Sequence, residues 1–149
     1  MKKENPAKTF LRRYQSLIYR VDALQQAIDQ AMERALNISI TLKEIRVISS
    51  PKEHDPMAAD VCSAVDATEI LRGEKAKAEA SLREILTAIN GVHDERQKTV
   101  LTLRYVNGCS FGEIADKMHF SEPAVYVAHG RALVMVNRWL EERKNAKSI

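Results

Sequence analysis

Six cations between Asp94 and Trp139 carry the clearest chemistry in this sequence: Arg96, Lys98, Arg104, Lys117, Arg131 and Arg138. Guanidinium and ammonium groups neutralise phosphates, which positions a nucleic acid without reading its sequence. Groups for other chemistry are missing. There is no Gly-rich phosphate loop, no nucleophile beside a placed base and no carboxylate pair in recognisable surroundings, so an enzyme is not expected. Cys62 and Cys109 stand far apart, and neither they nor His54, His93, His119 and His129 show metal-ligand spacing. No disulfide, metal or cofactor is therefore expected.

Two helix starts must position these cations. Ser110 lies three residues before Glu113, a reciprocal capping pair, with Cys109 and Ile114 at the flanking staple positions. This spacing predicts a helix over Phe111 to Met118. Ser121 caps the next helix, with Phe120 and Val125 as its staple and Pro123 in the first turn, where a missing N–H is tolerated. Only His119, Phe120 and Ser121 separate the two, and Ala115 is small enough for a close crossing, so the pair reads as a helix-turn-helix. His119 must then accept a left-handed backbone.

With Val125, Ala128, Ala132 and Val136 as the buried stripe, Glu122, Pro123, Tyr126, Val127 and Gly130 face outward, flanked by His129 and Arg131. The expected partner is double-stranded DNA. The residues expected to meet it are Ser121, Glu122, Tyr126, Val127, Gly130 and Arg131, with Arg104 and Lys117 from the preceding helices. This face lacks Arg or Lys for guanine and Asn or Gln for adenine, so base readout falls to Tyr126 and to Val127 against thymine methyls. Arg104 has an equal claim to a structural role, pairing with Glu113 or Asp116.

The run VLTLRYVNGCSFGEIADKMHFSEPAVYVAHGRAL resembles the fourth region of bacterial sigma factors. Leu101, Leu103, Arg104, Tyr105, Gly108, Ser110, Glu113, Ile114, Ala115, Ser121, Val125 and Arg131-Ala132-Leu133 carry the likeness. With its helical first half, the chain is similar to small sigma-like regulators of phages and integrative elements of Gram-positive bacteria, including the ArpU type. The resemblance implies a transcriptional regulator that binds promoter-proximal DNA, with RNA polymerase as a candidate further partner.

The 149 residues suffice for one ordinary domain or two small ones. A net charge of +3 permits nucleic-acid binding without requiring it, and few aromatics, Gly or Pro favour helices over strands. With neither an apolar run that could span a bilayer nor an h-region after MKKENPAKTF, no membrane association and a cytoplasmic location are expected.

Residues 1 to 7 are expected to fray, with Asn5-Pro6 opening the first helix. Tyr14, Leu17, Val21, Leu24, Ile28, Ala31, Ala35, Ile38, Leu42 and Ile45 then recur at alternating spacings of three and four. That seam predicts one helix to about Ile48, on the order of 60 Å long, with a weak point at the β-branched run Ile38 to Thr41. SSPKEHDPM, from Ser49 to Met57, reads as a loop. A second seam follows: Val61, Ala64, Thr68, Leu71, Lys75, Ala78, Leu82, Ile85 and Ile89. The two helices would form an antiparallel hairpin. Ile18, Val65, Ile70 and Leu86 widen its apolar stripe, which points to a homodimer.

Asn90-Gly91 ends the second helix, and Asp94 with Gln97 starts the next. Trp139 is expected to cover the core rather than to stack on bases. The expected fold is all-α: a coiled-coil-like hairpin over residues 1–91 for oligomerisation, then a three-helix, sigma region 4-like helix-turn-helix domain over 92–149. Two other readings stay open. One is a terminase small subunit-like DNA-packaging protein; the other is a module that binds RNA polymerase or a sigma partner without reading DNA.

Overall fold

Five helices and no strand occur among the described residues of the computed structural model, which are 3–48 and 56–148. α1 spans Pro6–Ile48, α2 Pro56–Asn90, α3 Glu95–Leu101, α4 Phe111–Met118 and α5 Glu122–Lys147. The expected all-α class holds: a long helix pair precedes a three-helix helix-turn-helix. Of the loop expected over 49–57, residues 49–55 lie outside the described residues, while Pro56 and Met57 open α2. The chain divides into two compact units, one of residues up to Ile18 together with those from Ala80 onward, the other of Tyr19–Glu79.

Within Tyr19–Glu79, α1 and α2 run antiparallel. Arg20 pairs with Glu74 at 3.6 Å, while Ala35 lines a shallow groove with Val65 and Thr68. The seam positions Leu24, Ile28, Leu42, Thr68 and Ala78 are buried, as their heptad spacing requires. Thr68 avoids an orphaned hydroxyl by donating to the Ala64 carbonyl at 2.9 Å. Lys75 is half-buried and pairs with Glu79 at 3.3 Å, which offsets part of its cost in the seam. The Ile38 to Thr41 run does not interrupt α1. Tyr19, Met32, Leu36, Ile40, Val65 and Ile70 are exposed in this unit.

The other unit is built around a core that four helices share. Ala7 and Leu11 of α1 meet Ile85, Ala88 and Ile89 of α2, together with Val92, Leu101, Tyr105, Ala132, Leu133 and Val136. Fraying as far as residue 7 is therefore corrected. Ala7 is fully buried, and its N–H is shared between Asn5 Oδ1 at 3.0 Å and Asn137 Oδ1 at 2.9 Å. Asn137 Nδ2 also donates to Asn5 Oδ1 at 3.0 Å, so an α5 side chain completes the cap of α1. The joint after α2 is equally tied, with Gly91 N–H bonded to the Thr87 carbonyl at 3.0 Å and Val92 buried. Arg143 of α5 forms an ion pair with Glu84 of α2, and this hydrogen bond holds the Glu84 carboxyl below its usual range. Trp139 covers the core as expected, its ring 5.9 Å from Phe10 and under the Arg143 guanidinium at 5.1 Å.

Candidate nucleic-acid interface

The helix that supports the helix-turn-helix is less regular than its sequence suggests. Asp94 caps α3 by accepting from Gln97 N–H at 3.0 Å, but beyond Leu101 the coil widens into a π-helical turn over Thr102–Val106. Asn107 N–H reaches back to the Thr102 carbonyl at 3.0 Å, and Gly108 ends the turn at φ 72°, a conformation that suits glycine. Such widened turns shift the phase of the side chains after them. Here Leu101 and Tyr105 enter the four-helix core, while Val100 and Leu103 enter a second cluster under α4.

That second cluster holds the bihelical unit. Val100, Cys109, Ile114, Ala115 and Val125 are buried together, so both staples and the small crossing residue sit where their spacing placed them. Ser110 Oγ accepts from Glu113 N–H at 3.2 Å and Ser121 Oγ from Ala124 N–H at 3.3 Å. His119 adopts the required left-handed backbone at φ 57°, ψ 41°, which lets Phe120 N–H reach the Ala115 carbonyl at 2.9 Å. Gly112 carries no signal in the sequence, yet a Cβ there would stand 3.2 Å from Glu122 Oε1. Its bare backbone accommodates the carboxylate end of Glu122 beside the start of α4.

Among the residues expected to meet DNA, Ser121, Glu122, Tyr126, Val127, Gly130 and Arg131 are all exposed along the first half of α5. Tyr126 is 55% and Val127 53% exposed, and Tyr126 is steadied by stacking on Phe111 with ring centroids 4.4 Å apart. Gly130 borders open space. Arg131 lines an open groove of about 540 Å³ together with Arg96, Phe120, Pro123 and Val127, where Arg96 lies 5.6 Å from the Phe120 ring. Lys117 is exposed in the last turn of α4. Arg104 is half-buried, and the expected pairing with Glu113 or Asp116 is corrected: Nη1 donates to the Cys109 carbonyl at 3.1 Å and the guanidinium lies 4.4 Å over Phe111.

His129 does not flank the outward face. It is buried beneath α5, where Nε2 and the Tyr105 hydroxyl share a 2.7 Å hydrogen bond whose direction follows the imidazole tautomer. Phe111 packs edge-on against the imidazole with centroids 5.0 Å apart. Burial lowers the His129 pKa to about 4, and the positive charges of Lys8 and Arg104 act in the same direction. Burial likewise raises the Tyr105 phenol above its ordinary value. A wide buried stripe, spanning Val125, His129, Ala132, Leu133 and Val136, turns inward a side chain that a narrower stripe would leave at the edge.

The arrangement is thus a short capped helix crossing a longer one whose outer surface is open to solvent, with cations on both sides and a neutral histidine behind. Neither a curated protein nor a solved structure matches the chain. Residues 82–136, from the end of α2 to the middle of α5, match the family model described as Sigma-70, region 4, and this part of the chain is a sigma region 4-like helix-turn-helix.

Proposed function

We propose that this protein is a DNA-binding regulator of transcription that sets the first half of α5 in the major groove of promoter-proximal DNA. The carrying observation is the capped α4–α5 pair with the outer side of α5 exposed, in the segment that matches the sigma family. Tyr126, Val127 and Gly130 meet base edges, Ser121 and Glu122 stand at the entering helix end, and Arg131, Arg104 and Lys117 take phosphates.

Anisotropy of a labelled duplex from the region upstream of its own gene, with salt varied, tests this reading. Binding should weaken steeply as salt rises. Val127→Ala should cost about 1 kcal/mol on a cognate duplex and little on an unrelated one, whereas Lys117→Ala should weaken both alike. Absence of binding at low salt would remove the proposal. A second reading is favoured by the want of Arg, Lys, Asn or Gln at positions 122, 123, 126, 127 and 130. In it, the same face docks on RNA polymerase, and recovery of polymerase by a protein that shifts no DNA would select it.

The exposed apolar side chains of residues 19–79 support a homodimer through the hairpin, which serves as the oligomerisation element. Two linked recognition helices would add affinity to a face with few hydrogen-bond donors. Size-exclusion chromatography with light scattering should return twice the chain mass; a monomer at micromolar concentration would end this part of the reading. A gene neighbourhood of late phage or integrative-element genes would fit the ArpU-type regulators that the sequence resembles.

A further inference from the structure

The first turns of α1 lie outside the segment that matches the sigma family, yet they are locked onto it. Ala7 and Leu11 are fully buried, Ala7 N–H bonds to Asn137, and Gln15 Nε2 donates to the carbonyls of Tyr105 at 3.3 Å and Val106 at 2.6 Å. This anchoring sets the position of the stripe Lys8, Arg12 and Gln15, which falls on one side of the helix at spacings of four and three. With Arg104 and Tyr105 the stripe encloses a small hollow of about 140 Å³. Three cations therefore meet at one place, contributed by two helices that are remote in sequence.

Their charge is only partly balanced. Glu4 pairs with Arg12. Neither Lys8 nor Arg104 has a carboxylate partner among the described residues, since Arg104 spends its contacts on the Cys109 carbonyl and the Phe111 ring. Like charges held this close repel one another, and an anion placed between them relieves the repulsion. The excess positive charge reaches inward, because Lys8 and Arg104 both add to the lowering of the His129 pKa.

The hollow also stands beside the outward face of α5. Tyr126 stacks on Phe111 at 4.4 Å and Phe111 lies under Arg104 at 4.4 Å, so the third layer of this stack is the wall of the hollow. The major groove is about 12 Å wide, which brings the phosphates along its edge within reach of such a layer when α5 occupies the groove. We propose that Lys8 and Arg12 of α1, together with Arg104, form a seat for a backbone phosphate of the bound duplex, so that DNA binding extends beyond the helix-turn-helix to the start of the chain. This rests on the DNA-binding reading above.

The test is anisotropy of the full chain on two labelled duplexes, one from upstream of its own gene and one unrelated. In Lys8→Gln/Arg12→Gln, the plot of log affinity against log salt should become shallower by about 1, at roughly 0.9 for the one phosphate no longer neutralised. Affinity at moderate salt should drop about tenfold on both duplexes alike, because phosphate contacts carry no sequence preference. Glu4→Gln, which frees Arg12, should tighten binding. An unchanged salt slope in the double variant, or an equal loss in Arg34→Gln/Lys43→Gln, which removes the same charge from the other unit, overturns the seat and leaves the DNA-binding reading intact. If wild-type protein binds neither duplex at low salt, the DNA-binding reading fails and the seat with it. Should the double variant melt before it can be assayed, Glu4→Gln decides: tighter binding supports the seat and unchanged binding overturns it.

Discussion

Ile114→Ala is expected to destabilise the protein by about 2–4 kcal/mol, a large share of the roughly 5–15 kcal/mol by which folded domains exceed their unfolded state. Ile114 has no exposed surface and lies at the centre of the cluster formed with Val100, Cys109, Ala115 and Val125. That cluster is small and its walls come from α3, α4, α5 and the loop that carries Cys109, so few neighbours can move in to fill the cavity. Urea unfolding should show a lower midpoint, and DNA binding should be lost at temperatures where the variant is largely unfolded. Val127→Ala on the outer side of α5 should stay within about 0.5 kcal/mol of wild type, because that side chain has little packing to lose. An Ile114→Ala protein with the wild-type urea midpoint would contradict the role given to this cluster.

Acidification should expose His129. Its folded-state pKa of about 4 lies below the ordinary value of 6.5, so between these limits the unfolded chain binds a proton that the folded chain refuses. The stabilisation is therefore complete above about pH 6.5 and is lost as pH falls toward 4, at up to about 1.4 kcal/mol per pH unit, or roughly 3 kcal/mol in all. Burial is the main cause, joined by the charges of Lys8 and Arg104. Glu84 adds its own acid loss, but with a folded pKa below 4.5 it acts in a lower range. Urea unfolding at a series of pH values between 7 and 5 isolates the histidine. His129→Gln keeps a hydrogen-bonding side chain against Tyr105 without titrating there, and it should flatten the slope; the same slope in wild type and variant would refute the assignment.

The helix-turn-helix was legible in the sequence because its determinants are local. A capping serine meets an amide three residues on, a staple joins positions five apart, and a short connection leaves few paths, so Ser110, Ser121, Cys109, Ile114, Phe120 and Val125 could be assigned from spacing alone. The heptad seams were legible for the same reason: they repeat a short-range rule over many turns. The outward-facing residues Tyr126, Val127 and Gly130 followed by subtraction once the buried stripe was known.

What only the tertiary structure decided depends on partners far away in the chain. The Asn5–Asn137 contact spans 132 positions and the Gln15–Val106 contact 91, and neither leaves a periodic trace. His129 is held inward by Tyr105 of the π-helical turn and Phe111 of α4, and the environment that keeps it neutral includes Lys8 from the opposite end of the sequence. Arg104 found a carbonyl and a ring instead of Glu113 or Asp116, since the π-helical turn shifts the phase of its helix. Helix starts and seams obey rules a few residues long and can be read along the chain. The direction in which a borderline side chain faces, and which cations gather at one hollow, are settled only when distant segments pack, because burial and electrostatic potential belong to the assembled surface.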